Sequence, residues 1–242
     1  MERSPRQPKD FYKVLYPVAK FVLDLSYHQT VLNPENILDE PAIYAANNVH
    51  AADSPLLSKA YTDNTGLPLR FVMKHGYAAG TGIDDKGKLG RTAKFIVNHT
   101  RQIPVFRGEN DVASFKLFED RVAQTLARGD SVGIHPEGTR SKDGKLSKFK
   151  AGAARLAINN SVPIVPVGIV YNSGSKYDKQ DVDILFGEPV YPEQLERVPY
   201  GDPTDIKAKA QYLSQVIEDR VSKLSGLEQS GNYARSKNIK KD

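Results

Sequence analysis

Apolar runs of five to seven residues alternate along this chain with longer stretches in which apolar side chains return every three or four positions. The first pattern suits a strand buried on both faces, the second a helix with one apolar stripe. Strands are predicted at Ala42–Ala46, Leu69–Met73, Gln102–Phe106, Ser131–His135, Ile164–Val170 and Val182–Phe186. Helices are predicted between and after them, at Ser54–Tyr61, Leu89–Asn98, Val112–Arg128, Ala151–Ile158 and Ile206–Leu224. Alternation of this kind specifies an α/β fold, a mostly parallel sheet flanked by helices. No internal repeat interrupts it.

The N-terminal pattern differs. Phe11, Tyr12, Val14, Leu15, Tyr16, Val18, Phe21, Val22 and Leu25 are interleaved with Lys13, Lys20 and Asp24, an amphipathic helical pattern with tyrosines suited to a water–lipid boundary. Two readings of it stand: a helix lying on a membrane, or one facing the core. The segment is too polar to span a bilayer and lacks a signal-peptide cleavage pattern. The expected organisation is therefore an N-terminal amphipathic, membrane-facing helical segment over 1–40, one α/β domain over 41–225 and a basic polar tail over 226–242, frayed from Glu228 onward.

Composition narrows the chemistry. With no cysteine among 242 residues, disulfides, thiolate metal sites and cysteine nucleophiles are excluded. His28, His50, His75, His99 and His135 form no His-Glu-x-x-His arrangement, so no metal site is expected. A nucleophile elbow and a phosphate loop are absent, and Gly80-Thr81-Gly82 lacks the third glycine of a dinucleotide fingerprint. A net charge of +5 and a pI near 9.1 favour an anionic partner. No nucleic-acid motif or interleaved aromatic stacking position accompanies the basic residues, so a phospholipid surface is expected and nucleic acid is not.

The most informative run is Pro136-Glu137-Gly138-Thr139-Arg140-Ser141, directly after the apolar strand Ser131–His135, where open α/β sheets place ligands. Pro136 stops the strand, Gly138 lets the backbone turn, and Arg140 offers a planar fork of donors for phosphate oxygens. Spacing alone also fits a solvated turn in which Glu137 and Arg140 pair with each other.

This run resembles the third sequence motif of the glycerolipid (1-acylglycerol-3-phosphate, or lysophosphatidate) acyltransferase family. Three further blocks agree in order. Ile103-Pro104-Val105-Phe106-Arg107-Gly108 resembles the second motif, Val162-Pro163-Ile164-Val165-Pro166-Val167 the fourth, and Phe71-Val72-Met73-Lys74 the family's strand ending in a lysine near the phosphate site. The similarity runs from about Asn47 to Ile169 and implies a glycerol-3-phosphate acyltransferase-like fold. It also implies that Lys74 and Arg107, assisted by Arg140, hold the acceptor's phosphate. Glu137 would organise the loop or contact the glycerol hydroxyls, Gly138 would permit close backbone approach, and Thr139 is counted with them among the substrate-binding residues. Lys142, Lys145, Lys148 and Lys150 would form a basic rim.

The first motif departs from the family pattern. There an Asn-His pair precedes four residues and an Asp; here the run is Asn47-Asn48-Val49-His50-Ala51-Ala52-Asp53, which puts Asn48 where the catalytic histidine is expected. In the implied mechanism the histidine takes the proton of the acceptor hydroxyl while Asp53 orients it, and an amide has no comparable basic lone pair. Three explanations remain open. His50 serves as a shifted base three residues before Asp53, Asn48 is an introduced substitution, or the chain binds lipid phosphate without transferring acyl groups. His135 likewise has two readings, a donor or alternative base at the mouth of the site, or a half-buried ring at a strand end.

The resemblance thus implies transfer of a fatty acyl group from acyl-CoA or acyl carrier protein to a lysophospholipid such as lysophosphatidate, in phospholipid biosynthesis. No metal or bound cofactor is called for, since the thioester is already activated. The implied location is cytoplasmic, peripheral on the inner face of the cell membrane.

Overall fold

The four residues of Ile43–Ala46 (β2) are all buried, as expected of a strand in the middle of a sheet covered on both faces. The computed structural model describes residues 11–74, 99–105, 112–172, 179–195 and 205–233. Around β2 lie Tyr27–Leu32 (β1), Leu69–Lys74 (β3), Ile103–Val105 (β4), Ser131–Ile134 (β5), Ile164–Asn172 (β6) and Gln180–Phe186 (β7). The helices are Tyr12–Ser26 (α1), Asp53–Thr65 (α2), Val112–Ala127 (α3), Gly152–Asn160 (α4) and Ile206–Ser225 (α5).

The strands form one seven-stranded sheet in the order β1-β7-β6-β2-β5-β3-β4. Neighbours pair in parallel except β6 and β7, which are antiparallel. Strands β6, β2, β5, β3 and β4 therefore end along one edge. The expectation of a mostly parallel sheet flanked by helices holds, and all six predicted strands coincide with observed ones. The predicted helix Leu89–Asn98 lies outside the described residues, as does Phe106 at the end of the predicted fourth-strand run.

The side-chain alternation of β2 separates two cores. Ile43 and Ala45 pack with Val132, Ile164, Leu156, Leu213 and Ile217 on the face covered by α3, α4 and α5. Tyr44 and Ala46 pack with Leu56, Leu57, Tyr61, Phe71 and Val165 on the α2 face. Helix α5 starts at an Asp205 cap that accepts the Lys207 N–H at 2.8 Å and ends at Gly226, whose φ of 69° is left-handed. It lies so close to β6 that a side chain at Gly168 would meet the Leu224 backbone at 2.7 Å.

Two expectations are corrected. Segment 1–40 is not helical throughout, because from Tyr27 the burial period drops to two and β1 joins the sheet edge beside β7. The tail does not fray at Glu228: Leu146 N–H donates to Glu228 O, Ser230 N–H to Leu146 O and Lys148 N–H to Asn232 O, at 2.8–2.9 Å. Backbone pairing, invisible in side-chain polarity, holds this strap in place.

Helix α1 packs on α2 by its polar side. Tyr12 shares a hydrogen bond with Thr62, Tyr16 donates to Asp63, and Lys20 pairs with Asp63. Its apolar residues Val14, Val18, Phe21, Val22 and Leu25 face solvent. The core-facing reading of this segment fails for that stripe.

Candidate active site

The end of β2 is anchored by an amide. The fully buried Asn47 donates through Nδ2 to Ile169 O at 2.9 Å and accepts the Ile169 N–H through Oδ1 at 2.7 Å, extending the ladder to β6 with a side chain. Asn48 follows, half-buried, and its backbone is held on both sides by the loop after β5. Its N–H donates to Glu137 Oε1 at 2.8 Å, and its carbonyl accepts from Ser141 N–H at 2.7 Å. The Asn48 side chain itself makes no hydrogen bond among the described residues.

Glu137 is 1% exposed. Its second oxygen accepts the Ser147 N–H at 2.9 Å, so the carboxylate spans the gap between the β2 loop and the segment leading to α4. Burial pushes its carboxyl up to about 7, against the two backbone N–H donors that favour the charged form, with the Asp53 charge adding to the rise. Arg140 is exposed and, among the described residues, makes no ion pair; the Glu137–Arg140 pair that spacing allowed is not formed. Gly138 has φ 76°, and its N–H returns to His135 O at 3.0 Å, a turn that only glycine adopts without strain. Thr139 and Arg140 line a cleft of about 440 Å³ with Lys142, Ser147 and Asn232 of the C-terminal strap.

Asp53 opens α2 and is 1% exposed. Its Oδ2 accepts the backbone N–H groups of Val49 and His50 at 2.6 and 2.8 Å, and its Oδ1 accepts the Tyr171 hydroxyl at 2.6 Å. Among the described residues no imidazole touches it. Burial, then the Asp53 carboxylate, drives the Tyr171 phenol far above its ordinary range, so this hydroxyl is a fixed donor. His50 is exposed and meets Asp53 only through its backbone. Its Nδ1 accepts the Ala52 N–H at 3.2 Å, and the ring lies edge-on to Tyr171 at 5.4 Å.

His135 stands one residue past β5, half-buried, with its ring 5.5 Å from that of Phe71. Nδ1 is 3.2 Å from Ala46 O and Nε2 is 3.0 Å from Ser54 Oγ in the first turn of α2. Lys74 ends β3 and is exposed, and Arg107 lies outside the described residues. The structure thus brings Asn48, His50, Asp53, Glu137, Gly138, Thr139, Arg140 and Lys74 to one edge of the sheet. Tyr171 and Ser54 were not anticipated: the strand predicted to stop at Val170 continues through Tyr171, and one serine beside an aspartate carries no pattern of its own.

Comparison with known proteins adds the family. A family model described as Acyltransferase matches residues 28–170, more than half of the chain. The chain belongs to the acyltransferase family. A relative described as a probable 1-acyl-sn-glycerol-3-phosphate acyltransferase from Mycoplasma pneumoniae is 25% identical over 202 residues, 78% of this chain and 71% of that protein. The human 1-acyl-sn-glycerol-3-phosphate acyltransferase beta is 43% identical over 68 residues, 28% of this chain and 24% of its own length. The crystal structure of the 1-acyl-sn-glycerophosphate (LPA) acyltransferase PlsC from Thermotoga maritima shares the fold, with a TM-score of 0.57 at 22% identity over 88% of this chain and 78% of that one. Within this family fold, the motif runs meet where the parallel strands end.

Proposed function

We propose that this chain transfers a fatty acyl group from acyl-CoA or acyl carrier protein to the hydroxyl of a lysophospholipid such as lysophosphatidate, in phospholipid biosynthesis. One observation carries the reading: two motif runs far apart in sequence are locked together at the carboxyl ends of β2 and β5, where the Asn48 N–H donates to the Glu137 carboxylate, 89 residues away, and the Asn48 carbonyl accepts the Ser141 N–H. Beside them Lys74 ends β3. In this reading Lys74, Arg107 and Arg140 take the acceptor's phosphate, Glu137, Gly138 and Thr139 shape the loop around its glycerol, and Asn48, His50 and Asp53 surround the reacting centre. The relatives described as acting on 1-acylglycerol-3-phosphate support the acceptor class.

The working place is the inner face of the cell membrane, with the protein peripheral. What supports this is the outward apolar stripe of α1 together with the net charge of +5. Among the described residues no helix is long and apolar enough to cross a membrane.

A second reading is favoured by Asn48, which cannot accept a proton as imidazole does: a lipid-phosphate binder without turnover. Incubating the purified chain with palmitoyl thioester and lysophosphatidate separates the two. Release of free thiol with formation of phosphatidate is the expected result; saturable lysophosphatidate binding with no thiol release would favour the binder. His50→Ala in the same assay reads whether the base has shifted by two residues.

A further inference from the structure

We propose that His135, acting through the Ser54 hydroxyl, receives the proton of the acceptor hydroxyl in this chain, the task that an imidazole at position 48 would have performed. The inference rests on the acyltransferase reading above and goes beyond it by naming the base. A carbonyl oxygen only accepts, so the 3.2 Å contact with Ala46 O puts the ring proton of neutral His135 on Nδ1. Nε2 is then the acceptor of the Ser54 hydroxyl at 3.0 Å. The serine oxygen, whose own proton is committed to the ring, makes no other hydrogen bond among the described residues and keeps lone pairs for an incoming hydroxyl. Both side chains are half-buried, hence reachable.

The pieces normally grouped around a base at position 48 are otherwise engaged. Asp53 is filled by two backbone N–H groups and Tyr171, and the His50 Nδ1 by Ala52 N–H. The Ala46 carbonyl instead supplies the orienting contact to His135, as a carboxylate would for a catalytic imidazole. Sheet order gives the position: β5 lies between β2 and β3, so Ser54 and His135 sit between Asn48 and Lys74. An acceptor with its phosphate at Lys74 and its glycerol extending toward Asn48 crosses this point.

In the step itself, the acceptor O–H proton passes to Ser54 Oγ while the serine proton passes to His135 Nε2. The acceptor oxygen forms the ester bond to the thioester carbonyl carbon, the carbon–sulfur bond breaks, and the leaving thiolate recovers the proton from the imidazolium through Ser54. The charged groups on the packed elements are Asp53 on α2, turned to Tyr171, with Lys59 and Asp63 paired to each other further along that helix; Glu137 on the same loop, turned to Asn48 and Ser147; and on β3 Lys74 and Arg70, the latter paired with Asp130. Strand β2 contributes none.

The test is steady-state acyl transfer by the purified chain with palmitoyl-CoA and with palmitoylated acyl carrier protein as donors, lysophosphatidate as acceptor, and thiol release as readout. His135→Gln and Ser54→Ala are each expected to lower kcat by roughly a hundredfold or more while leaving KM for lysophosphatidate within about threefold. His135→Gln should also abolish the acid-side decline of kcat that protonation of an imidazole base imposes. Ser54→Ala, which leaves the ring and its bond to Ala46 in place, carries the test if His135→Gln does not fold. Folded variants that keep kcat within about threefold of the parent, or an unchanged acid limb in His135→Gln, would overturn the relay. A parent chain that is inert while Asn48→His turns over would also overturn the relay but leave the acyltransferase reading standing. If neither turns over, both fall.

Discussion

At the scale of the residue, Glu137 shows why a motif carboxylate need not face its substrate. Both of its oxygens are spent on backbone N–H groups from segments on either side of it, so it acts as a strut that sets where Asn48 stands. The strut is costly, because its carboxyl, raised from 4.5 to about 7, resists ionising where it is buried. Below pH 4.5 the folded and unfolded states both hold the proton. As pH rises toward 7 the unfolded chain releases it first, so stability is lost across that window, by roughly 3 kcal/mol if the whole shift is expressed. Glu137→Gln is expected to flatten the melting temperature against pH between about 4.5 and 7. It should also lower turnover, since the amide NH2 cannot accept the second N–H and the Asn48 loop loosens. Thermal melts across pH, run on parent and variant together, check both the sign and the window; a parallel pair of curves would refute the assignment.

Among elements, the decisive contact is α5 over β6. Gly168 leaves no room for a side chain beneath Leu224, and from the same helix Glu218 accepts the Phe149 N–H at 2.7 Å, one residue before Lys150, whose own N–H donates to Pro136 O at 3.1 Å. Helix position and motif position are therefore linked through the backbone. Gly168→Ala is expected to cost about 2 kcal/mol by overpacking, lowering the melting temperature by roughly 4–8 °C in a chain of this size. Turnover should fall too, even though residue 168 lies outside the site. Calorimetry and the thiol-release assay test the pair of effects, and an unshifted melting temperature would show that α5 yields without strain. The long elements were legible in the sequence because their signal is local. Ile206–Ser225 carries a helical period, an aspartate cap and a glycine stop, and β6 is a continuous apolar run. Strand β1 was not, because its only signal is an alternation of six residues at a sheet edge. The strap at Glu228–Asn232 was not either, since its bonds are backbone to backbone.

At the scale of the whole molecule, the sheet order turns separate motifs into one edge, and that order is a long-range fact to which no sequence window is sensitive. The residues from the motif runs were legible as a group; Ser54 and Tyr171 were not, because their importance comes only from what stands opposite them, His135 and Asp53. The same scale decides how α1 is to be understood. Its polar residues face inward to α2, and Val14, Val18 and Phe21 are each 64–67% exposed. This is the reverse of a helix that buries its apolar stripe in the core. At 15 residues it is about 22 Å long, short of the roughly 30 Å hydrocarbon layer, so its stripe fits the surface of a bilayer and not its thickness. Full burial of one such side chain stabilises by about 1.5–3 kcal/mol, so exposing two to an acyl boundary and then replacing them by carboxylates is a large perturbation. Val18→Asp combined with Phe21→Asp should weaken co-sedimentation with phosphatidylglycerol-containing vesicles by roughly tenfold or more. Because both side chains already face water, the melting temperature should stay within about 2 °C of the parent. Turnover of lysophosphatidate embedded in vesicles should fall with binding, while turnover of a short-chain, monomeric lysophosphatidate should be retained. Equal loss on both substrates would place the stripe against another protein or within the catalytic fold and remove the lipid surface as its partner.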